Sequence, residues 1–254
     1  MPTLRDIATD LRAGFLFATR IPLPHAAPVT GADVARASWT LPLVGLVIGI
    51  IAAAAYAIAF RTGLPPLIAA ALAVTAALLT TGALHEDGLA DSCDGLGGGA
   101  DRERRLEIMR DSRIGTYGAC ALVLSLLLRI GALAALAVPS EAAWGLIAAH
   151  AGARAVLPAF LRLVPPARRD GLAADAGRPS AGGASGALAL GMLLLWASLG
   201  LGRALVAALL LCVVFGFMRA LALRRIGGQT GDTAGALEQI GEIVVLLTAA
   251  AGRA

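Results

Sequence analysis

Between residues 85 and 113 the chain reads HEDGLADSCDGLGGGADRERRLEIMRDSR, a run of charged and small residues with long apolar stretches on either side. Asp87, Asp91 and Asp94 stand at i, i+4 and i+7, so on a helix they fall within about 60° of one another. Three carboxylates on one face repel unless something positive holds them. Oxygen ligands with no nearby Cys and His set suit Mg²⁺, Mn²⁺ or Ca²⁺ better than zinc, and a divalent ion is the first partner implied. Gly88 and Gly95 leave room for a substrate or a neighbouring backbone to come close, at a helix-propensity cost of about 1 kcal/mol each. Gly97, Gly98 and Gly99 free the chain before a second polar helix, expected over 101–111, which carries Arg102, Arg104, Arg105 and Arg110; Ser112 and Arg113 follow. Guanidinium groups beside a carboxylate-held metal are what a diphosphate needs, and the stretch reads as a phosphoryl-transfer site.

The rest of the chain must place this stretch at a membrane. In 254 residues the hydrophobic content is 58% and mean hydropathy +0.79, far above a soluble domain. Aromatics are only 4%, and the apolar mass is Ala, Leu, Val and Ile with many Gly, the material of closely packed membrane helices. One polytopic domain over 1–254, all-α, is expected. The formal charge of +4 comes entirely from Arg, mostly in loops, with no basic run interleaved with aromatics, which argues against nucleic acid. Cys93, Cys120 and Cys212 lack pair spacing, so a disulfide framework is not expected. Cys93 reads as packing rather than as a metal ligand.

Leu4, Ile7, Leu11, Phe15 and Ala18 recur at helical spacing and predict an interfacial helix that ends before Pro22 and Pro24. His25 in that break reads as a loop residue. Seven spans are expected, at about 39–60, 64–84, 117–138, 142–164, 186–202, 204–223 and 233–250, each near the ~20 residues a bilayer demands. With a cytoplasmic start, nearly all loop arginines fall on one side, leaving only Arg61, Arg203 and Arg253 opposite, so the acidic stretch faces the cytoplasm. Faces rich in small residues suit either intrachain packing or a homo-oligomer.

Glu238 and Glu242 lie within the last span, after Asp232. Such groups cost roughly 2.5 to 3.5 kcal/mol each on insertion scales and face a bundle interior or a wet cavity. Two uses are open to them: further metal or substrate contacts, or partners of Arg129 and Arg154 in the third and fourth spans. His150, one turn from Arg154, reads as a local hydrogen-bond partner. Arg168, Arg169 and Arg178 read first as topology markers and second as groups closing over an anionic substrate.

Residues 85–95, HEDGLADSCDG, and 108–118, IMRDSRIGTYG, together with Thr19-Arg20-Ile21-Pro22-Leu23-Pro24 and Gly231-Asp232-Thr233-Ala234-Gly235-Ala236, resemble the cobalamin synthase (adenosylcobinamide-GDP ribazoletransferase) family. The resemblance spans nearly the whole chain, with Arg110 where the family often carries Lys. It implies an Mg²⁺-dependent enzyme of the bacterial inner membrane that joins adenosylcobinamide-GDP to α-ribazole, giving adenosylcobalamin and GMP, or to α-ribazole 5′-phosphate, giving adenosylcobalamin 5′-phosphate. The ribazole 5′-oxygen would attack the cobinamide-linked phosphorus. Asp87, Asp91 and Asp94, helped by Glu86, Asp111 or Asp232, would hold the metal. Arg105, Arg110, Ser112 and Arg113 would bind substrate, and His85 or a free carboxylate would take the hydroxyl proton.

Two other readings compete. A CDP-alcohol phosphotransferase also gathers aspartates at a membrane face, but its D-x-x-D-G-x-x-A-R pattern lacks the Ala-Arg here, where Leu96, Gly97 and Gly98 follow. A cation-coupled transporter would use Glu238, Glu242 and Arg129 as a charge relay, yet no inverted repeat is visible.

Overall fold

The computed structural model describes residues 4–24, 29–168 and 177–252; His25, Arg169 and Arg253 lie outside them. Among the described residues the regular elements are all helices, apart from one parallel bridge between Pro166 and Gln229. The predicted interfacial helix is α1 (Leu4–Ala18). It packs on α2 (Gly31–Ala37), where the Asp10 carboxylate accepts from Arg36 Nε at 2.8 Å and Trp39 Nε1 at 2.9 Å. Then follow α3 (Leu41–Arg61), α4 (Pro66–Thr81), α5 (Leu84–Gly98), α6 (Arg102–Ile108), α7 (Thr116–Leu136), α8 (Pro139–Ala155), α9 (Leu157–Leu163), α10 (Ala181–Ile226) and α11 (Gly231–Ala250).

Five helical stretches are long and apolar enough to cross a membrane, and α4 with α5 makes a sixth if that bent pair counts as one. Seven predicted spans reduce to this count for two reasons. The 46-residue α10 runs through Gly200, whose φ of 75° and ψ of 166° break the helix. Its first residues lie near Ser38, its last carbonyl, Ile226 O, accepts from Arg102, and Arg203 just past the break reaches Ala251 O at the opposite end of α11. α10 is therefore a hairpin, and its halves, 181–199 and 201–226, are the predicted fifth and sixth spans.

The predicted second span is shorter than expected. α4 has 16 residues, about 24 Å at 1.5 Å each, short of a ~30 Å hydrocarbon core. Gly82 (φ 67°) and Ala83 (φ 57°) then take left-handed backbone and turn the chain by 91° into α5. We read α5 as lying across the end of the bundle, over the first turns of α7 and α11, outside the spanning segments.

Burial orders the spans. In α8–α9 78% of the span window is buried and in α11 72%, against 28% in α7 and 22% in α10, so α8 and α11 form the centre and the others face lipid. α3 approaches α8 closely enough that a Cβ at Gly45 would stand 2.2 Å from His150 O, and one at Gly49 2.7 Å from Ile147 Cα. Small residues permit this backbone contact, as in other membrane bundles.

Replacing Gly45 by Val should therefore cost about 1–3 kcal/mol through overpacking and lower the thermal midpoint in detergent. Gly131→Ala, at a helical site with nothing within 4 Å of the added Cβ, should leave the midpoint unchanged or raise it. Equal midpoints for Gly45→Val and wild type would contradict the packing.

Candidate active site

The two faces of α5 do different work, because successive residues on a helix point about 100° apart. Asp87 and Asp91 lie on the outer side, Asp87 exposed and Asp91 partly buried. Burial, then the neighbouring Asp87, Asp232 and Asp94 carboxylates, push the Asp91 carboxyl up to about 7. Burial is the larger cause, and the three nearby carboxylates add to it while Arg168 opposes it. The inner side holds His85 and Glu86. Gly88 lies between, where a Cβ would stand 2.9 Å from Asp232 O and 3.2 Å from Gly235 Cα, so its missing side chain admits the backbone of α11.

Asp232, in the first turn of α11, is the predicted ligand that tertiary structure adds to the acidic face. Its Oδ2 accepts from Arg168 Nη2 at 2.9 Å. Arg168 is positioned by the only bridge among the described residues: Ala167 N donates to Gln229 O and Gln229 N to Pro165 O, both at 2.8 Å. This pins the loop beside the turn entering α11. Of the two readings open to Arg168, the contact with Asp232 bears on the second, since it sets the guanidinium among the aspartates, where its charge also acts on Asp91. Pro165-Pro166 and Gly227-Gly228 were the available signal, two stiff and two permissive residues far apart in sequence.

Other predicted residues are drawn elsewhere. Asp94 is buried, and its two oxygens accept from Gly115 N at 2.7 Å and Gly118 N at 2.9 Å, so it caps the start of α7. Glu86 leaves the acidic face altogether, accepting from Arg129 Nη1 at 3.0 Å and Gln239 Nε2 at 3.1 Å. Asp111 is paired with Arg113 through contacts of 2.6 to 3.2 Å in the loop after α6, which hold its carboxyl down to about 2. Arg105 donates to Arg225 O and Ala100 O, satisfying the carbonyl end of α10. Arg102 does the same at Ile226 O and Ala167 O. Arg110, Ser112 and Arg113 are exposed. The expected arginine cradle is thus largely a helix-end clasp, because unsatisfied carbonyls at a helix C-terminus attract cations.

Beneath α5 lies a buried charged network. Arg129 Nη1 contacts Glu86 (3.0 Å) and Glu242 (3.1 Å), and Arg154 Nη1 contacts Glu238 (2.5 Å) and Glu242 (2.7 Å). His150 Nδ1 also meets Glu242 Oε1. Of the two uses left open for Glu238 and Glu242, the structure shows ion pairing. Among the described residues, His150, Glu238 and Glu242 are the three whose ligand atoms come within 4.8 Å of one another, but Arg154 already fills the space they share. No such trio forms among Asp87, Asp91 and Asp232. A divalent cation on that face would need ligands beyond these three, such as phosphate oxygens and water.

His85 joins network and site. Its Nδ1 lies 3.2 Å from Glu238 Oε2 and, at the longer distance of 3.4 Å, from Arg154 Nη2. The shorter contact makes Nδ1 the donor and leaves Nε2 as an acceptor. His85, Asp87 and Asp232 line one end of a cavity of about 260 Å³, whose other walls are largely apolar.

Truncating one partner of a buried ion pair leaves the other charge uncompensated, at a typical cost of 3–5 kcal/mol. Arg129→Met, which takes the guanidinium away from Glu86 while Glu242 keeps Arg154, should lower the thermal midpoint sharply, and adding Glu86→Gln should recover part of the loss. A midpoint equal to wild type in the single variant would contradict the network.

No solved structure matches the chain. Among known proteins it is 54% identical to an adenosylcobinamide-GDP ribazoletransferase from Bradyrhizobium diazoefficiens, over 98% of this chain and 96% of the relative. It is 51% identical to a protein of the same name from Mesorhizobium japonicum, over 96% of this chain and 94% of the relative. The model of the cobalamin-5-phosphate synthase family matches residues 10–250. A match of that length, with relatives of such identity covered almost end to end, makes this chain a member of the cobalamin-5-phosphate synthase family, transferases of cobalamin synthesis.

Proposed function

We propose that this membrane transferase is an adenosylcobinamide-GDP ribazoletransferase, acting at the cytoplasmic face of the bacterial inner membrane with Mg²⁺. One observation carries the reading: Asp87 and Asp232 line a cavity that is otherwise largely apolar, and Asp91 and Arg168 stand close enough beside them to act on the same carboxylates. Glu238, Glu242 and Arg129 belong to one buried ion-paired network, which in this reading serves the fold and not ion transport.

The cobinamide-linked phosphorus of the diphosphate is the reacting centre. A ribose oxygen forms a new P–O bond there, the P–O–P bridge breaks, and GMP leaves. A substrate already phosphorylated at the 5′ position keeps that phosphate in its product, so the nucleophile is a secondary ribose hydroxyl; the 5′-oxygen suggested by the sequence reading does not fit that balance. Bound Mg²⁺ would neutralise charge on the diphosphate and the departing GMP. Asp87, Asp91 and Asp232 would hold it. Arg168, paired with Asp232 in the free protein, would transfer its N–H donors to a diphosphate oxygen once Mg²⁺ takes over that carboxylate. His85 Nε2 would accept from the ribose hydroxyl and orient it, and a carboxylate not engaged by the ion would take its proton. The positioning of these groups at a low-dielectric boundary strengthens each interaction.

Asp91→Asn should reduce turnover at least about a hundredfold, read as GMP release and corrinoid product, without lowering the thermal midpoint. Near-normal turnover would remove the carboxylate group from the mechanism. Arg168→Ala should raise KM for adenosylcobinamide-GDP about tenfold or more, with Arg168→Lys intermediate because it keeps the charge but loses the planar fork.

The metal has a readout apart from activity. With the Asp91 carboxyl near 7 when folded against about 3.9 unfolded, stability falls as pH rises from about 3.9 to about 7 and stays lowered above that, and a cation held by the carboxylate offsets the loss. Mg²⁺ should therefore raise the thermal midpoint at pH 8 and much less at pH 5, and Asp91→Asn should flatten the difference. A shift independent of pH and of this substitution would place Mg²⁺ elsewhere.

A further inference from the structure

The cavity beside α5 has two unlike ends. His85, Asp87 and Asp232 form one; Phe17, Val34, Leu41, Leu157 and Leu161 belong to the walls beyond. Five separate parts of the chain build it: the N-terminal segment through α3, the start of α5, α9, Gly177 and Pro179 ahead of α10, and the first turn of α11. At about 260 Å³ it takes a ligand of nucleoside size and is several times too small for a corrinoid nucleotide.

Polarity narrows the choice further. Guanosine placed the same way, with its phosphates outside, would bring a base rich in hydrogen-bond donors and acceptors against walls that offer few partners, at a desolvation cost little there offsets. A neutral nucleoside with an apolar two-ring base meets no such penalty. Its base would lose water contact against Leu157, Leu161 and Phe17, while its ribose would stay at the polar end beside His85 and Asp87.

We infer that this cavity is the binding site of the nucleophilic substrate, holding the benzimidazole-type base of ribazole between α1–α3 and α9, with the ribose directed to the carboxylates. The inference rests on the proposed activity and goes beyond it in dividing the two substrates: the cavity takes ribazole, and the corrinoid diphosphate approaches from outside, on the exposed side of Asp87 and Arg168. The in-line geometry that phosphoryl transfer requires then comes from two substrates meeting at the aspartates from opposite directions.

The test uses the full-length protein in detergent or native membranes, with benzimidazole as a base-only probe. Benzimidazole should compete with α-ribazole and leave the apparent KM for adenosylcobinamide-GDP unchanged. Ala35→Phe and Leu161→Phe, each adding bulk to the wall, should raise KM for α-ribazole about tenfold, equivalent to 1.4 kcal/mol, with KM for adenosylcobinamide-GDP within about twofold of wild type. The probe experiment stands even if a variant folds poorly, since it needs only the wild-type chain. Competition of benzimidazole with the corrinoid substrate, or no inhibition while wild-type turnover is normal, overturns the cavity assignment. Displacement of a fluorescent fatty acid, but not of α-ribazole, would mark a lipid-tail site and overturn it as well. Absence of any corrinoid product from the wild type is a different outcome: it overturns the proposed activity itself.

Discussion

Two guanidinium groups inside the bundle, Arg129 and Arg154, hold the structure's least comfortable residues in place. Glu86, Glu238 and Glu242 would each be costly at this depth alone, and the two arginines reach all three at 2.5 to 3.1 Å. Three carboxylates share the two guanidiniums, with His85 and His150 at the edge of the cluster. The network also explains why α11 can be central while carrying Glu238, Gln239 and Glu242 in adjacent turns. Its polar residues meet partners from α5, α7 and α8, and its apolar residues meet the rest of the core.

That arrangement governs α5. Glu86 is tied to Arg129 and His85 to Glu238, so the inner side of α5 is anchored into the bundle. The 100° step between neighbouring residues then turns Asp87 and Asp91 outward. Gly88 lets α11 come close enough for Asp232 to join them. The acidic face is thus assembled from two helices at the boundary between bundle and solvent, where water reaches a substrate but screens its partners less than bulk solvent would. The left-handed pair at Gly82 and Ala83 makes this possible by ending α4 and sending α5 across the bundle end.

Arginine placement follows the supply of unsatisfied acceptors. Arg102 and Arg105 lie near the carbonyl end of α10 and are consumed there, and Arg113 folds onto Asp111 two residues away. Arg168 differs because a two-residue bridge holds its loop against the turn into α11, leaving its side chain to face carboxylates. Composition alone treats these arginines as equivalent, and their neighbours make them different.

The amino-acid sequence by itself determined the membrane class, the first amphipathic helix, the placement of the spans other than the second, and the acidic helix, since apolar length and residue periodicity report directly on burial and helical face. It also marked the glycines of α5 as points of close approach, and it paired intramembrane glutamates with arginines as one of two options. Asp94 and Glu86 looked like members of the acidic group because their types and spacing matched. Only tertiary structure revealed that Asp94 serves the backbone of α7 and that Glu86 faces a guanidinium 43 positions away. It alone brought Arg168 to Asp232, 64 positions apart, and opened a cavity between α1, α5, α9 and α11. Periodicity along one helix specifies direction about an axis, whereas the partner waiting in that direction depends on how separate helices pack.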